Sequence, residues 1–288
     1  MQLLIEVVLG GVITGLLYVL VALGFNLIFG IMDVINFAHG YLVMWGGYLM
    51  YLFSVKYDLN FVVSILLGSI VVGLAGVLLE LMLFRRVVGL PFASLVISLG
   101  LGFVLQNIAL LAFGPDPLAV QSPVQGVVHI FGATLPVLRL VVAGVALLAL
   151  LLVYLFLGRT SQGRALRAVA QDPEAASLQG VDRGRVYSLT FGLGALLAGL
   201  GGTLLGPLLS VNIGMGDSPL LSAFIVVVIG GLGSMAGTAV AGILLGILSS
   251  ASVLLVGSGA ADLIGFGAMF LFLLFRPQGI FGKLGERV

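Results

Sequence analysis

The chain has 288 residues, of which 61% are hydrophobic and only 8% charged, with a formal net charge of +1 and a mean hydropathy of +1.30. Soluble domains carry about 25% charged residues, so a soluble fold could not cover its surface and the apolar excess must face lipid. The small net charge argues against a nucleic-acid partner, and the lack of cysteine excludes disulfides and thiolate metal sites.

A helix that crosses a hydrocarbon core of about 30 Å needs roughly 20 mostly apolar residues. The segments that meet this requirement are 7–29, 31–54 (interrupted), 61–83, 92–113, 136–157, 186–207, 236–256 and 260–275. A shorter apolar run, 219–230, ends in Gly230-Gly231-Leu232-Gly233-Ser234 and suggests a half-helix or a re-entrant segment. The pattern predicts an all-α integral membrane protein, a polytopic bundle of eight or nine spans with interrupted helices, in a single domain over 1–288.

The basic residues predict the orientation, because Lys and Arg accumulate on the cytoplasmic side. Ten of the twelve fall on one side if 92–113 and 136–157 form a hairpin and 219–230 counts as a crossing. They are Arg85, Arg86, Arg159, Arg164, Arg167, Arg183, Arg185, Arg276, Lys283 and Arg287. The other side receives Lys56, while Arg139 lies near a helix end, where it can snorkel. A multi-pass protein with a cytoplasmic C-terminus is expected.

Two stretches, 16–40 and 193–217, resemble each other loosely. Each runs from a Gly-containing apolar helix into a break that carries Asn and Asp. Internal repeats are common in transporters, but two Gly-rich helices that end alike would give the same pattern. The sequence favours this plainer interpretation.

Asp33, Asn36, His39 and Gly40 lie between two strongly apolar stretches. Ionisable groups at membrane depth are costly and normally face a cavity or each other. Glycines at both ends of this segment permit an interrupted helix, and broken helices in transporters expose backbone groups to substrate. The segment is a candidate for lining a substrate pathway, and a hydrated interfacial loop is the alternative interpretation.

The longest internal polar segment, about 159–185, carries the signals of a short capped helix. Asp172 stands before a proline at the first helical position, Glu174 complements the positive helix end, and Gly180 is placed to end the helix. A helix over about 173–179, preceded by a basic amphipathic one, is too short to fold by its own propensity and must dock. The segment either fixes the topology alone or is a coupling helix that enters a cleft on a cytoplasmic partner.

Other chemistry is poorly supported. The chain has no GxxxxGK[S/T] phosphate loop, so it cannot be an ATP-driven motor. His39 and His129, without nearby carboxylates, make a poor metal site, and neither a metal nor a cofactor bound by this chain is expected. Glu6 and Glu80 are expected at span ends, solvated or paired with lipid headgroups.

Several motifs resemble a known family. Glu174-Ala175-Ala176, three residues and then Gly180 resembles the core of the cytoplasmic loop in bacterial ABC-importer permeases, although the later Ile-x-Leu-Pro part is absent. Longer matches follow one another along nearly the whole chain and resemble branched-chain amino acid ABC transporter permeases, of the H-type membrane subunit of high-affinity importers. They are Gly24-Phe25-Asn26-Leu27-Ile28-Phe29-Gly30, Val34-Ile35-Asn36-Phe37-Ala38-His39-Gly40, Gly163-Arg164-Ala165-Leu166-Arg167-Ala168, Leu197-Ala198-Gly199, Ile229-Gly230-Gly231-Leu232-Gly233-Ser234 and Arg276-Pro277-Gln278-Gly279-Ile280-Phe281-Gly282.

This resemblance implies a permease that is not an enzyme and that works in the bacterial inner membrane. It would pass branched-chain amino acids delivered by a periplasmic binding protein, together with a second related permease subunit and two cytoplasmic ATPase subunits that use ATP and Mg. One sequence does not distinguish a heterodimer of permease subunits from a homodimer. The residues assigned to ATPase coupling are Arg164, Arg167, Glu174, Ala175, Ala176 and Gly180.

Two alternatives remain open. Urea and short amides are alternative substrates, because urea permeases look similar. A secondary transporter is the other class, but it would place coupling ions through intramembrane carboxylates, and apart from Asp33 and Glu80 candidates are scarce.

Overall fold

The computed structural model describes residues 2–122, 124–130 and 132–281, and these residues are mainly helical. Its helices are α1 (Gln2–Met32), α2 (His39–Tyr51), α3 (Phe61–Met82), α4 (Pro91–Phe113), α5 (Val137–Arg159), α6 (Ser161–Gln171), α7 (Pro173–Leu178), α8 (Arg183–Leu205), α9 (Asp217–Gly230), α10 (Met235–Val256) and α11 (Ser258–Phe275). A π-helical turn, Leu52–Lys56, continues α2, and a 3-10 turn, Phe84–Val87, follows α3. An antiparallel hairpin of β1 (Val127–Ile130) and β2 (Ala133–Pro136) separates α4 from α5. Lys283 and Arg287, used above for the orientation, lie outside the described residues.

Within the described residues, six helices are long and apolar enough to cross a membrane: α1, α3, α4, α5, α8 and α10. An all-α polytopic membrane fold is therefore found, as the composition predicts. The count of eight or nine spans is not confirmed, because α9 and the apolar part of α11 are shorter and α2 has only 13 residues. A helix of that length is about 20 Å long, well short of a hydrocarbon core of about 30 Å.

Side-chain caps set where several helices begin. Asn60 accepts a hydrogen bond from the amide of Val62 at the start of α3 (2.9 Å), and Ser234 accepts one from Gly237 at the start of α10 (3.1 Å). Asp182 does the same for α8 through the amide of Arg185 (3.2 Å). The first amides of a helix have no intrahelical partner, so these short polar side chains at the breaks define the helix starts.

Close-packed seams of small residues join the central helices. Gly246 of α10 lies directly against the backbone of α1 at Gly15, and Gly76 of α3 lies against Ala195 of α8. Added side chains at either glycine would overlap the facing helix. Small residues let helices in a membrane approach closely, which accounts for much of the high glycine content.

The contacts among six helices repeat in a second set. When α1, α2 and α3 are matched with α8, α9 and α10, the helix contacts of the first set correspond to those of the second. For example, α1 packs on α10 as α8 packs on α3. The helices α1 and α8 run antiparallel, with Val21 against Gly201 and Ile28 against Gly194. The similar stretches 16–40 and 193–217 therefore occupy equivalent places, and the contacts favour an internal repeat over two helices that merely end alike.

Candidate functional site

The break between α1 and α2 is buried. Asp33 ends α1 with a φ of 54°, a left-handed conformation uncommon for a residue with a side chain. Val34 and His39 are fully buried and Asn36 is 1% exposed, while Asp33 is partly buried. A hydrated interfacial loop does not fit this burial.

Two serines of α4 satisfy the backbone of the break. The hydroxyl of Ser94 accepts a hydrogen bond from the amide of Ile35 (3.1 Å), and that of Ser98 accepts one from the amide of Phe37 (3.0 Å). At membrane depth water does not satisfy backbone groups, so irregular backbone persists only where protein supplies partners. Sequence reasoning missed both serines, because a serine in an apolar helix carries no sign of what it faces.

Asn36 and His39 bring unpartnered polar atoms to the start of α2. His39 Nε2 lies 3.0 Å from the carbonyl oxygen of Val21. A carbonyl can only accept, so Nε2 carries the proton and Nδ1 of the neutral ring is an acceptor. Among the described residues, neither Nδ1 of His39 nor either amide atom of Asn36 has a hydrogen-bond partner. Each such buried atom costs about 1–3 kcal/mol.

This polar pair lies deep in the bundle. Val21, the partner of His39, stands roughly three turns before the end of α1, about 16 Å along the helix axis. One residue further, Gly40 packs on the start of α9, where a Cβ would lie 2.6 Å from the carbonyl oxygen of Gly216 and 2.7 Å from Leu220. The two short helices of the repeat therefore begin side by side, and only glycine fits at this contact.

Asn26 of α1 is a second buried amide, but its hydrogen bonds are complete. It donates to Thr238 Oγ1 (2.8 Å) and to the carbonyl of Ser234 (3.1 Å), and it accepts from the amide of Gly233 (2.7 Å). Asn26 thus fixes the turn between α9 and α10 to α1. The asparagine and the Gly-Ser turn are both visible in the sequence, but their pairing across more than 200 residues is not.

The predicted basic amphipathic helix is α6. Its Leu166 and Val169 are fully buried against the bundle, while Arg164 and Arg167 are exposed. The hydroxyl of Thr160 accepts from the amide of Gly163 (2.9 Å) and starts the helix. This helix docks on the bundle through its apolar side and presents its arginines outward.

The predicted capped helix is α7. Asp172 Oδ1 accepts from the amides of Glu174 and Ala175, both at 2.9 Å. Gly180 has a φ of +83° with open space around it, as expected of a residue that ends a helix. The apolar residues of this helix, Ala175, Ala176 and Leu178, do not form one surface, however. Ala176 is buried against the bundle, while Leu178 is 88% exposed and Ala175 is exposed beside Glu174.

Two acidic residues differ from expectation. Glu80 is fully buried and forms an ion pair with Arg85, so the prediction of a glutamate solvated or paired with lipid headgroups was wrong. The hydrogen bond with Glu80 is the largest cause of the raised pKa of Arg85. Glu6 accepts a hydrogen bond from the amide of Thr134 in the hairpin (3.3 Å), so it contacts protein rather than water alone.

The comparisons with known proteins cover almost the whole chain. Residues 7–274 match the family model described as branched-chain amino acid transport system / permease component. The high-affinity branched-chain amino acid transport system permease protein LivH of Escherichia coli K12 is 34% identical, covering 95% of this chain and 94% of that protein. BraD of Pseudomonas aeruginosa, a permease protein of the same description, is 30% identical over 97% of this chain and 96% of its own. A probable LivH permease of Methanocaldococcus jannaschii is 30% identical over 95% of this chain and 91% of its own.

Proposed function

The chain belongs to the family of branched-chain amino acid transport system permease components, and from this premise we propose that it is the membrane subunit of an ATP-driven importer of those amino acids in the bacterial inner membrane. The observation that carries the proposal is the match to high-affinity permeases over nearly the full length of both chains. As a permease it is a transport subunit and not an enzyme.

The proposed partners are a second permease subunit, two cytoplasmic ATPase subunits that bind ATP and Mg, and a periplasmic binding protein. The sequence has no phosphate loop, so hydrolysis must take place in a partner. The exposed face of α6 and α7, with Arg164, Arg167, Glu174 and Ala175, supports an ATPase contact. The exposed Leu178 adds an apolar group that a cleft on the partner would cover.

The proposed substrate pathway includes the break between α1 and α2, with Asp33, Asn36, His39 and Gly40. An amino acid offers an ammonium group, which donates, and a carboxylate, which accepts. The ammonium suits Asn36 Oδ1 and His39 Nδ1, and the carboxylate suits Asn36 Nδ2 and the positive N-terminal end of α2. Because both side chains are buried, the path would be closed in this conformation and would open to expose them.

The proposed topology counts α2 with its π-helical turn, α9 and α11 as membrane segments beside the six longer helices, which gives nine spans. In this arrangement Arg85, Arg86, the arginines of 159–185 and Arg276 share the cytoplasmic side. Two contacts support it: Arg85 reaches Gly184 at one end of the bundle, and Leu118 pairs with Val211 at the other. The end of α11 is then cytoplasmic.

Transport by the complete complex tests this proposal. With the binding protein outside and ATP inside proteoliposomes, we expect uptake of radiolabelled leucine that stops without ATP. Uptake of urea instead of leucine would show that the substrates are urea and short amides rather than branched-chain amino acids. Leucine uptake driven by an ion gradient without ATP would show that the protein is a secondary transporter.

A further inference from the structure

A polar junction connects α3 to the first turns of α8, immediately after the proposed coupling segment. Glu80, near the end of α3, is fully buried. Arg85 donates to it through two nitrogens, Nε to Oε1 and Nη2 to Oε2, both at 2.9 Å. The hydroxyl of Ser188 donates to Oε2 of Glu80 as well, at 2.8 Å. The carboxylate therefore has three donors, which a charge removed from water requires.

Arg85 extends the junction to the beginning of α8. Its Nη2 donates to the carbonyl of Gly184 (2.9 Å) and lies 2.7 Å from the Ser188 hydroxyl. A guanidinium group presents its donors in a fixed planar fork, so these bonds fix distance and direction together. The end of α3 and the start of α8 are thereby held in one arrangement.

The start of α8 is continuous with α7. The amide of Val181 donates to the carbonyl of Ala176 (3.1 Å), and Asp182 caps α8 directly afterwards. Only the turn at Gly180 separates the two helices, and α7 also packs on α6 and α8, with Ala176 buried. A displacement of α7 by a partner would therefore move the first turn of α8.

The remainder of the α3–α8 seam is apolar. Gly76 lies against Ala195, and Gly192 lies against Val77, and among the described residues no other side-chain hydrogen bond joins the two helices. Beside the junction, a cleft of about 470 Å³ lies between the two helices, with Val77 and Leu189 in its lining. Among the described contacts of this seam, the junction is therefore the one that fixes the direction of α8 relative to α3.

We propose that Glu80, Arg85 and Ser188 are positioning residues that transmit the movement of the coupling segment to α3 during transport. This inference rests on the proposed function, since it requires α7 to contact an ATPase subunit. The junction acts through α3 and α8 and needs no contact with the substrate.

The experiment compares the complete complex carrying Arg85→Lys, Glu80→Gln or Ser188→Ala with the wild type in proteoliposomes. Arg85→Lys keeps the charge and loses the fork, and Ser188→Ala removes one hydroxyl while leaving the ion pair. Leucine uptake and ATP hydrolysis are measured together, with folded complex quantified by size-exclusion chromatography. Arg86→Lys is the matched control, because Arg86 is exposed and no side-chain hydrogen bond of it is found among the described residues.

We expect Arg85→Lys to lower the leucine transported per ATP hydrolysed by about fivefold or more, while the loaded binding protein still stimulates hydrolysis. An unchanged ratio, with both rates reduced in proportion to the folded complex, would show a structural role only and overturn the inference. If the complexes with Arg85→Lys and Glu80→Gln do not assemble, the leucine transported per ATP hydrolysed by the Ser188→Ala complex decides between the two outcomes. If the wild-type complex shows no ATP-driven leucine uptake, the proposed function itself is wrong. If the variants transport as much leucine per ATP hydrolysed as the wild type, only the proposed role of the junction is wrong.

Discussion

Asn26 and Asn36 are both buried amides in the first quarter of the chain, and their environments assign them different roles. Asn26 has a partner for each of its amide atoms and holds the turn before α10. Among the described residues Asn36 has none, although it is 1% exposed. A structural amide is normally satisfied, so Asn36 is suited to a partner that arrives during transport.

Replacing Asn36 by leucine tests this difference. Because the amide has no bond to lose among the described residues, Asn36→Leu should not lower the melting temperature of the purified permease. Leucine uptake should fall by about tenfold, the effect of one lost hydrogen bond of about 1.4 kcal/mol. The affinity of the binding protein for leucine should stay unchanged.

Asn107→Leu is the control for this substitution, because Asn107 is exposed on α4 and, among the described residues, bonds only to the carbonyl of Phe103 within its own helix. Its uptake should match the wild type. Normal uptake in Asn36→Leu would remove Asn36 from the pathway, and a lowered melting temperature would reveal an undetected structural bond.

At the scale of the element, the sequence predicts local features such as caps and turns, but it does not predict tertiary contacts. The cap at Asp172, the turn at Gly180 and the amphipathic α6 depend on neighbours in sequence, so the sequence predicted them. The hydrogen bond from Ser188 to Glu80 joins residues far apart in the sequence. The same holds for the bonds between the α4 serines and the backbone of the break between α1 and α2. Such pairs need the fold to bring them together, which one sequence does not specify.

Gly180→Val tests the element that ends α7. A valine at a φ of +83° is strained by about 1–2 kcal/mol, and the open space around Gly180 leaves backbone strain as the main effect. We expect the permease to insert and the complex to lose transport, because the turn that shapes the ATPase contact is altered. The measurements are membrane content by immunoblot and ATP-driven leucine uptake.

Gly158→Val is its matched control, since Gly158 also has open space around it but lies within α5, where valine needs no positive φ. That variant should transport normally. Normal transport in Gly180→Val as well would mean that α7 does not couple the ATPase to the permease.

At the scale of the whole molecule, the arrangement of α1 to α3 is repeated by α8 to α10, in antiparallel orientation at the contact of α1 with α8. The glycine pair at positions 40 and 216 brings the two short helices together within this repeat. The sequence indicated the membrane class and most helix positions through hydropathy. It favoured two helices that end alike over the repeat, because small residues can pack against many partners and the loose likeness of two stretches does not specify a contact.

The proposed orientation of the whole molecule is tested by single cysteines in this cysteine-free chain. Gln125 is exposed between α4 and α5, and Gln171 is exposed at the end of α6. If the arginine-rich side is cytoplasmic, a membrane-impermeant maleimide should label Gln125→Cys in intact spheroplasts and Gln171→Cys only after the membrane is opened. Equal labelling of both in opened membranes controls for exposure of the thiols. Labelling of Gln171→Cys in intact spheroplasts would place α6 and α7 outside the cell, where no ATPase could reach them, and would invert the topology.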